Sequence, residues 1–151
     1  MIDCETTIDE RQALTIGAYR YCRLENGVYT CVEEGLLIAD DLVDDSKSIS
    51  ILESYRTDHV AETPDGFPRE IKLLSRSEFI KRVFWPAVLG SKALVVGFNL
   101  PFDLTRLALD CRKARRRNEG WSLVMPRIKT LKPASCESTH YSRGSRFGAK
   151  G

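Results

Sequence analysis

The chain has 151 residues, of which 42% are hydrophobic and 29% are charged, and its formal net charge is +2. This length and composition predict one globular domain and exclude wholesale disorder. The sequence shows no signal peptide, since acidic residues stand where a basic leader would begin, and its apolar runs are too short to cross a bilayer; we expect a cytoplasmic protein without a membrane partner.

The chain begins with a short segment, Ile2 to Glu5, that alternates apolar and acidic residues. If this segment is extended, Asp3 and Glu5 share one face while Ile2 and Cys4 share the other. Two carboxylates on one face repel each other, and a hard cation such as Mg²⁺ or Mn²⁺ would relieve that repulsion. An exposed strand end explains the same pattern.

Two β-rich segments, residues 12–24 and Val28–Ile38, follow around an Asn26-Gly27 pair. Asn-Gly is a strong hairpin signal because both positions tolerate a positive φ. Together with the first segment, they predict a three-strand antiparallel meander.

The middle of the chain carries an acidic cluster at Asp40, Asp41, Asp44 and Asp45, which favours a solvated loop or a helix start. Turn signals predict loop structure over residues 46–71, with His59 on the surface.

Ser75 and Glu78 have the spacing of a capping box, which predicts a helix running to about Leu89 and ending at Gly90. Its apolar face would be formed by Phe79, Val83 and Phe84.

A continuous apolar run over residues 93–98 is typical of a strand that is buried on both faces. Pro101 then suits the first turn of a helix. The apolar stripe of this helix is predicted to comprise Leu104, Leu107, Ala108 and Cys111. Asp103 would therefore lie in the first helical turn, either complementing the helix dipole or acting as a metal ligand.

Basic residues close this predicted helix: Arg112, Lys113, Arg115, Arg116 and Arg117. Residues 1–90 hold 10 Lys and Arg against 17 Asp and Glu, whereas residues 91–151 hold 13 against 4. The basic cluster could contact a nucleic-acid backbone, complement the helix dipole or serve solubility.

Two short strands are predicted near the end of the chain, at residues 121–125 and 127–131, and residues 133–151 are predicted to form a poorly ordered basic tail. The chain has five cysteines and no Cys-x-x-Cys pair, which predicts reduced, mostly structural thiols and no zinc site.

Two motifs together resemble a known family. Asp3-Cys4-Glu5-Thr6-Thr7 resembles the first motif of the DnaQ-like (DEDD) 3′–5′ exonucleases of the ribonuclease H-like superfamily, and Asn99-Leu100-Pro101-Phe102-Asp103 resembles the second. The resemblance extends to about Met125. It implies an α/β fold over residues 1–132, a ribonuclease H-like mixed sheet in which a three-strand antiparallel meander is followed by alternating helices and strands.

The resemblance also implies metal-dependent hydrolysis of phosphodiester bonds at nucleic-acid 3′ ends, on single-stranded DNA or RNA, with two Mg²⁺ or Mn²⁺ ions. Asp3, Glu5 and Asp103 would be the catalytic metal ligands. The substrate would be contacted by Thr6, Thr7, Asn99 and Phe102.

The third motif of the family, a fourth carboxylate with a His or Tyr general base, is missing. No aspartate follows Asp110, the later acids are Glu119 and Glu137, and we interpret His140 as part of the tail. We therefore expect a fold that is incomplete at both ends and an activity that is weak or lost. The alternatives are a non-catalytic nucleic-acid-binding or regulatory module of the same fold, and a protein-interaction domain.

Overall fold

The computed structural model describes residues 1–61, 68–114 and 120–126. This part of the chain is a mixed α/β structure. Its strands are β1 (Ile2–Thr6), β2 (Leu14–Glu25), β3 (Val28–Ile38), β4 (Val60–Ala61), β5 (Arg69–Glu70), β6 (Lys72–Ser75), β7 (Asp110–Lys113) and β8 (Trp121–Val124). Its α-helices are α1 (Ser46–Asp58), α2 (Arg76–Phe79) and α3 (Leu100–Leu107), and π-helical turns at Ile80–Phe84 and Pro86–Gly90 follow α2.

The principal sheet has four strands in the order β1-β2-β3-β6. The first three strands pair antiparallel, and β6 runs parallel to β3. The predicted α/β class, the mixed sheet and the initial meander are therefore confirmed. β4 pairs with β5 and β7 with β8, each as a separate two-stranded sheet.

The β2–β3 hairpin turns at the predicted dipeptide. Asn26 has a φ of 52° and Gly27 a φ of 81°, the left-handed conformation that a two-residue hairpin turn requires at both positions. Glu25 and Val28 pair directly on either side of it.

The predicted capping box is present at the start of α2. The Ser75 hydroxyl accepts a hydrogen bond from the Glu78 amide at 3.1 Å, and the Glu78 carboxylate accepts one from the Ser75 amide at 3.1 Å. Phe79 and Ile80 then enter the core, where the Phe79 ring lies 4.9 Å from the ring of Tyr19. The helical path continues through π-helical turns to Gly90, as the sequence predicts for its end.

The expectation of loop structure over residues 46–71 is wrong for its first half, which forms α1. Asp45 caps this helix by accepting a hydrogen bond from the Ser48 amide at 3.1 Å. No residue of α1 is buried. The apolar side of the helix is only half-buried, at Ile49 and Leu52, which gives a weak helical pattern in the sequence. His59, which follows the helix, is exposed as predicted.

The expectation of a doubly buried strand at residues 93–98 is also wrong. The segment forms no strand, although its Val96 carbonyl accepts a hydrogen bond from the Ile2 amide of β1. Leu94, Val96 and Phe98 are 79%, 49% and 103% exposed. Only the alternate side chains of the run are turned inward, so its apolar character does not mark burial on both faces.

The helix that follows is shorter than the sequence indicates. α3 ends at Leu107 because Ala108 is extended, with a ψ of 151°, and the Leu109 amide donates to the Val124 carbonyl at 2.7 Å. Cys111 consequently lies in β7, where it is exposed, and not on the helical stripe. Pairing with β8 has overridden the helical pattern of this stretch.

Several predictions fall outside the described residues: Arg115, Arg116 and Arg117, the strand at 127–131, His140 and the tail at 133–151. In the described part of the chain, no helix is both long enough and apolar enough to span a bilayer.

Candidate functional site

The free edge of β1 is where the two predicted motifs meet. Amides two residues apart in a strand point to the same edge, and Ile2 and Cys4 are such a pair. The Ile2 amide donates to the Val96 carbonyl at 2.9 Å, and the Cys4 amide donates to Asp103 Oδ1 at 3.1 Å. Along this edge of β1, the Val96 backbone is the hydrogen-bond partner of Ile2, and the Asp103 side chain replaces a backbone partner at Cys4.

Asp103 is the one charged residue that is buried in the described part of the chain, with 1% of its surface exposed. Its second oxygen, Oδ2, is buried and has no hydrogen-bond partner among the described residues. Burial raises the pKa of Asp103 above its ordinary value, the Cys4 amide opposes that rise, and the charges of Asp3 and Glu5 add to it. Among the described residues, no cation offsets the charge of this carboxylate.

Gly97 allows the segment before α3, the Asp103 side chain and β1 to lie close together. A Cβ atom at this position would lie 2.8 Å from Asp103 Oδ2 and 2.9 Å from the Ile2 carbonyl oxygen. Such distances are too short for a carbon, so the position requires glycine. The sequence analysis missed Gly97, because a glycine two residues before Asn99 carries no signature of its own that would mark this close approach.

The first motif alternates as predicted. Ile2 and Cys4 are buried, whereas Asp3 and Glu5 are exposed on the other face. Burial, followed by the charges of Asp103, Asp3 and Glu5, raises the pKa of the Cys4 thiol to about 12. Cys4 is therefore a structural thiol, as predicted, and the motif offers only its two carboxylates to a ligand.

The three predicted metal ligands are neighbours but are not preassembled. Asp103 binds the backbone amide that lies between Asp3 and Glu5. Within the described ranges, however, no group of three or more His, Cys, Asp or Glu side chains is arranged to hold a metal ion. Carboxylate oxygens are the donors that Mg²⁺ and Mn²⁺ prefer, and the Asp103 oxygen without a partner among the described residues fits such an ion; a site that included Asp3 and Glu5 would require these exposed side chains to reorient.

The two predicted substrate-binding threonines differ in their surroundings. The Thr7 hydroxyl donates to Asp9 at 2.5 Å and accepts from the Ala13 amide at 3.0 Å, so it holds the β1–β2 turn together. Thr6 is half-buried at the end of β1. Thr6 is thus the threonine that lies nearer to the carboxylates along the strand.

Asn99 and Phe102 lie at the start of α3. Asn99 is the residue before the first helical turn and makes no side-chain capping hydrogen bond. The Phe102 ring is covered by the Arg106 guanidinium, whose central carbon lies 4.7 Å from the ring centroid. Arg106 also donates to the Gln12 carbonyl at 2.8 Å and so docks α3 on the β1–β2 turn, a role that the sequence analysis missed.

The described part of the basic cluster is short. Arg112 and Lys113 are exposed on β7, and Arg112 Nε donates to Asp110 Oδ2 at 2.6 Å. The charge of Arg112 is therefore partly neutralised within its own strand, which leaves Lys113 as the more available cation of the two.

The acidic cluster around Asp40 has a structural role. Asp40 accepts hydrogen bonds from the Ser77 amide at 2.9 Å and from Arg76 Nη2 at 2.9 Å. Partial burial opposes ionisation, but these hydrogen bonds hold the pKa of Asp40 below its ordinary value. Asp40 and Asp45 thus bind the first residues of α2 and α1. Asp40, whose carboxylate is fully hydrogen-bonded, can therefore be compared with Asp103, whose carboxylate, within the described residues, is not.

No protein-family model matches the chain, and no curated protein or solved structure is significantly similar to it.

Proposed function

We propose that Asp3, Glu5 and Asp103 form the divalent-cation site of a 3′–5′ exonuclease-type phosphodiesterase with a ribonuclease H-like fold. The observation that carries the proposal is the Asp103 carboxylate, which is buried. One of its oxygens has no partner in the described part of the chain, and the other binds the Cys4 amide between the two acids of the first motif. A structural carboxylate normally has partners for both oxygens, as Asp40 does.

Mg²⁺ or Mn²⁺ bound by these carboxylates would act as a Lewis acid towards a phosphodiester and would favour the ionised form of a water molecule. The residues of the chain itself have simpler tasks. Asp103 supplies a fixed ligand because its Oδ1 is held by β1. Asp3 and Glu5 supply adjustable ligands from an exposed face.

Substrate contacts would come from residues around this edge. Thr6 follows Glu5 on β1 and Asn99 precedes α3, so both lie close in sequence to the carboxylates. Phe102 would offer a terminal base the ring face that Arg106 does not cover. The resemblance implies the 3′ end of single-stranded DNA or RNA as the substrate, and stacking and backbone contacts would accept any sequence.

The excess of basic residues after residue 90 favours a second candidate function, a non-catalytic nucleic-acid-binding module with the same metal site, in which these residues would bind the phosphate backbone. General-base catalysis needs a correctly positioned proton acceptor, and such a module would need none. The exposed side chains of Leu94, Val96 and Phe98 favour the third candidate, a protein-interaction domain.

Thermal melting in the presence of Mn²⁺ tests the site. We expect Mn²⁺ to raise the melting temperature of the wild-type protein, since it binds the native state only. Asp103→Asn should abolish this rise. Asp58→Asn, a matched change at the exposed end of α1, should leave it intact.

Incubation with 5′-labelled single-stranded DNA and RNA separates the candidate functions. Shortening from the 3′ end that requires Mn²⁺ and Asp103 supports the exonuclease. Binding that weakens with salt, without shortening, supports the binding module. A wild-type protein whose melting temperature is insensitive to Mn²⁺, and which neither shortens nor binds either strand, would refute both and leave the interaction domain.

A further inference from the structure

A second pair of reactive side chains lies on the hairpin, away from the carboxylates. Cys22 on β2 and Cys31 on β3 are direct partners across the two strands. Both thiols are half-buried and both are free. Nothing in the proposed phosphodiesterase uses them.

The register of the hairpin determines how close the two thiols are. The residues beside a two-residue turn form the first hydrogen-bonded pair, here Glu25 and Val28, and pairs alternate from there. Leu24 with Tyr29 is therefore a non-hydrogen-bonded pair, and Cys22 with Cys31, two positions further, is another. In such pairs the Cα atoms are about 4.5 Å apart and the side chains are at their closest.

That spacing lies within the range that a disulfide bridge requires, about 4.4–6.8 Å between Cα atoms, although at its short end. The strand bends here, because the register shifts by one residue between Tyr21 and Cys22. Cys22 and Cys31 are only half-buried, and an exposed bridge is reduced more readily than a buried one. The surroundings therefore suit a bridge that forms and opens, more than a permanent one.

The surroundings of the pair set the rate of reaction but leave the pair accessible. Cys31 Sγ contacts the Glu33 carbonyl at 3.7 Å, and burial followed by the nearby Cys22 thiol raises the pKa of Cys31, which lowers its thiolate fraction and slows its attack on a disulfide. The adjacent pair on the same face of the hairpin, Leu24 and Tyr29, is 58% and 69% exposed. A small disulfide can therefore approach from the end of the hairpin.

We propose that Cys22 and Cys31 form a reversible redox site, a cross-strand dithiol that is oxidised to a disulfide by small disulfides such as oxidised glutathione. The proposal is independent of the phosphodiesterase and goes beyond the expectation of reduced, mostly structural thiols.

The reaction balances in two exchanges. One cysteine thiolate attacks a sulfur of oxidised glutathione, which forms a mixed disulfide and releases one glutathione thiolate. The second cysteine thiolate attacks the protein sulfur of that mixed disulfide and releases the second glutathione thiolate. The two cysteine protons pass to the released glutathione through solvent, so two protein thiols are oxidised and one glutathione disulfide is reduced to two thiols.

Peptide mapping tests the proposal directly. The folded protein, in a Cys136→Ser background because Cys136 lies outside the described residues, is incubated with oxidised glutathione, alkylated and digested with trypsin. Trypsin cleaves after Arg20, Arg23 and Lys47, so the bridge would join the peptide of residues 21–23 to that of residues 24–47. We expect this linked peptide as the main oxidised product, and we expect reduced glutathione to reverse it.

Two serine variants provide the controls. Cys22→Ser should stop the reaction at a glutathione adduct on Cys31, whereas Cys111→Ser should leave the linked peptide unchanged. Recovery of Cys22 and Cys31 from the wild-type protein as free thiols or as separate glutathione adducts would overturn the proposal. A bridge from either residue to Cys4 or Cys111 would overturn it as well.

Discussion

β1 has two edges, and they are built in different ways. On one edge β2 follows after a short turn and pairs along the whole strand, from Ile2 with Tyr19 to Thr6 with Leu14. On the other edge the partner comes from about ninety residues later in the chain and is held by the Val96 carbonyl and the Asp103 carboxylate. The first edge is held by regular backbone pairing, which many different residues could provide. The second edge is held by a few individual residues. The candidate site lies on the second edge, so changes there should affect stability and metal binding together.

The largest effect should come from the residue that anchors α3. Leu107 is fully buried, with 0% exposure, and Leu107→Ala should lower the free energy of unfolding by about 3 kcal/mol because it removes packed methyl groups and leaves a cavity. Urea unfolding measures this. The matched control is Leu94→Ala, which should change the free energy by less than about 0.5 kcal/mol because Leu94 is exposed. A large loss for Leu94→Ala would instead support the buried strand that the sequence indicated.

A smaller loss of stability should follow when a side chain is added at Gly97, on the second edge of β1. Gly97→Ala should cost about 2 kcal/mol, since the added carbon would overlap Asp103 Oδ2 and the Ile2 carbonyl. The same substitution at Gly90, where nothing lies within 4 Å of the added carbon, should be close to neutral. Equal effects at both glycines would contradict the close approach described for Gly97.

A glycine-to-alanine change in the β2–β3 hairpin should lower the free energy of unfolding by less than the change at Gly97 does. Gly27→Ala should cost about 1 kcal/mol, because Gly27 has a φ of 81° that an L residue adopts with strain. Urea unfolding again gives the value. Unlike Gly97→Ala, this change should leave the Mn²⁺ response intact, which distinguishes the two edges by function as well as by stability.

The smallest effect concerns charge alone. Asp103→Asn keeps an acceptor for the Cys4 amide and removes a buried, uncompensated charge, so in metal-free buffer at pH 8 it should stabilise the protein by roughly 0.5 to 1 kcal/mol. Asp103→Ala is the contrasting variant. It leaves the amide unpaired and should destabilise the protein. A loss for Asp103→Asn as large as that for Asp103→Ala would mean that the carboxylate is a satisfied structural group.

The difference in the free energy of unfolding between Asp103→Asn and the wild type should change with pH in a definite direction. The pKa of Asp103 is raised in the folded state, so the native protein holds this proton more tightly than the unfolded chain does. Its contribution to stability is fully present below the unfolded pKa of about 4 and is lost as pH rises through the folded pKa. The advantage of Asp103→Asn over the wild type should therefore grow with pH across this interval, and guanidinium unfolding at several pH values measures it.

The comparison of the two edges also shows what the sequence could predict. The Asn26-Gly27 turn, the alternation around Cys4 and the capping box at Ser75 each depend on residues close together in the chain, and each prediction is confirmed. β6 was missed because it is only four residues long and pairs with a strand more than thirty residues earlier. The end of α3 was placed too late because pairing of β7 with β8, not helix propensity, decides where the helix stops.

The candidate site was predictable only in part. The acidic residues of both motifs were identified, and Asp103 does lie against the first motif. Their meeting depends on Gly97 and on the Cys4 amide, which carry no chemical signature of their own. Hydrogen bonds between side chains and backbone atoms far away in the chain depend on the tertiary fold. A local sequence pattern therefore cannot predict them.

The most direct test of the central claim is an amide-resolved NMR titration with Mn²⁺, whose paramagnetism broadens signals close to the ion. The account predicts that the amide signals of Cys4 and its neighbours in β1, together with those at the start of α3, broaden first, and that Asp103→Asn removes this broadening. Broadening that begins instead at the acidic cluster of Asp40 to Asp45, or that is unchanged in Asp103→Asn, would contradict the account.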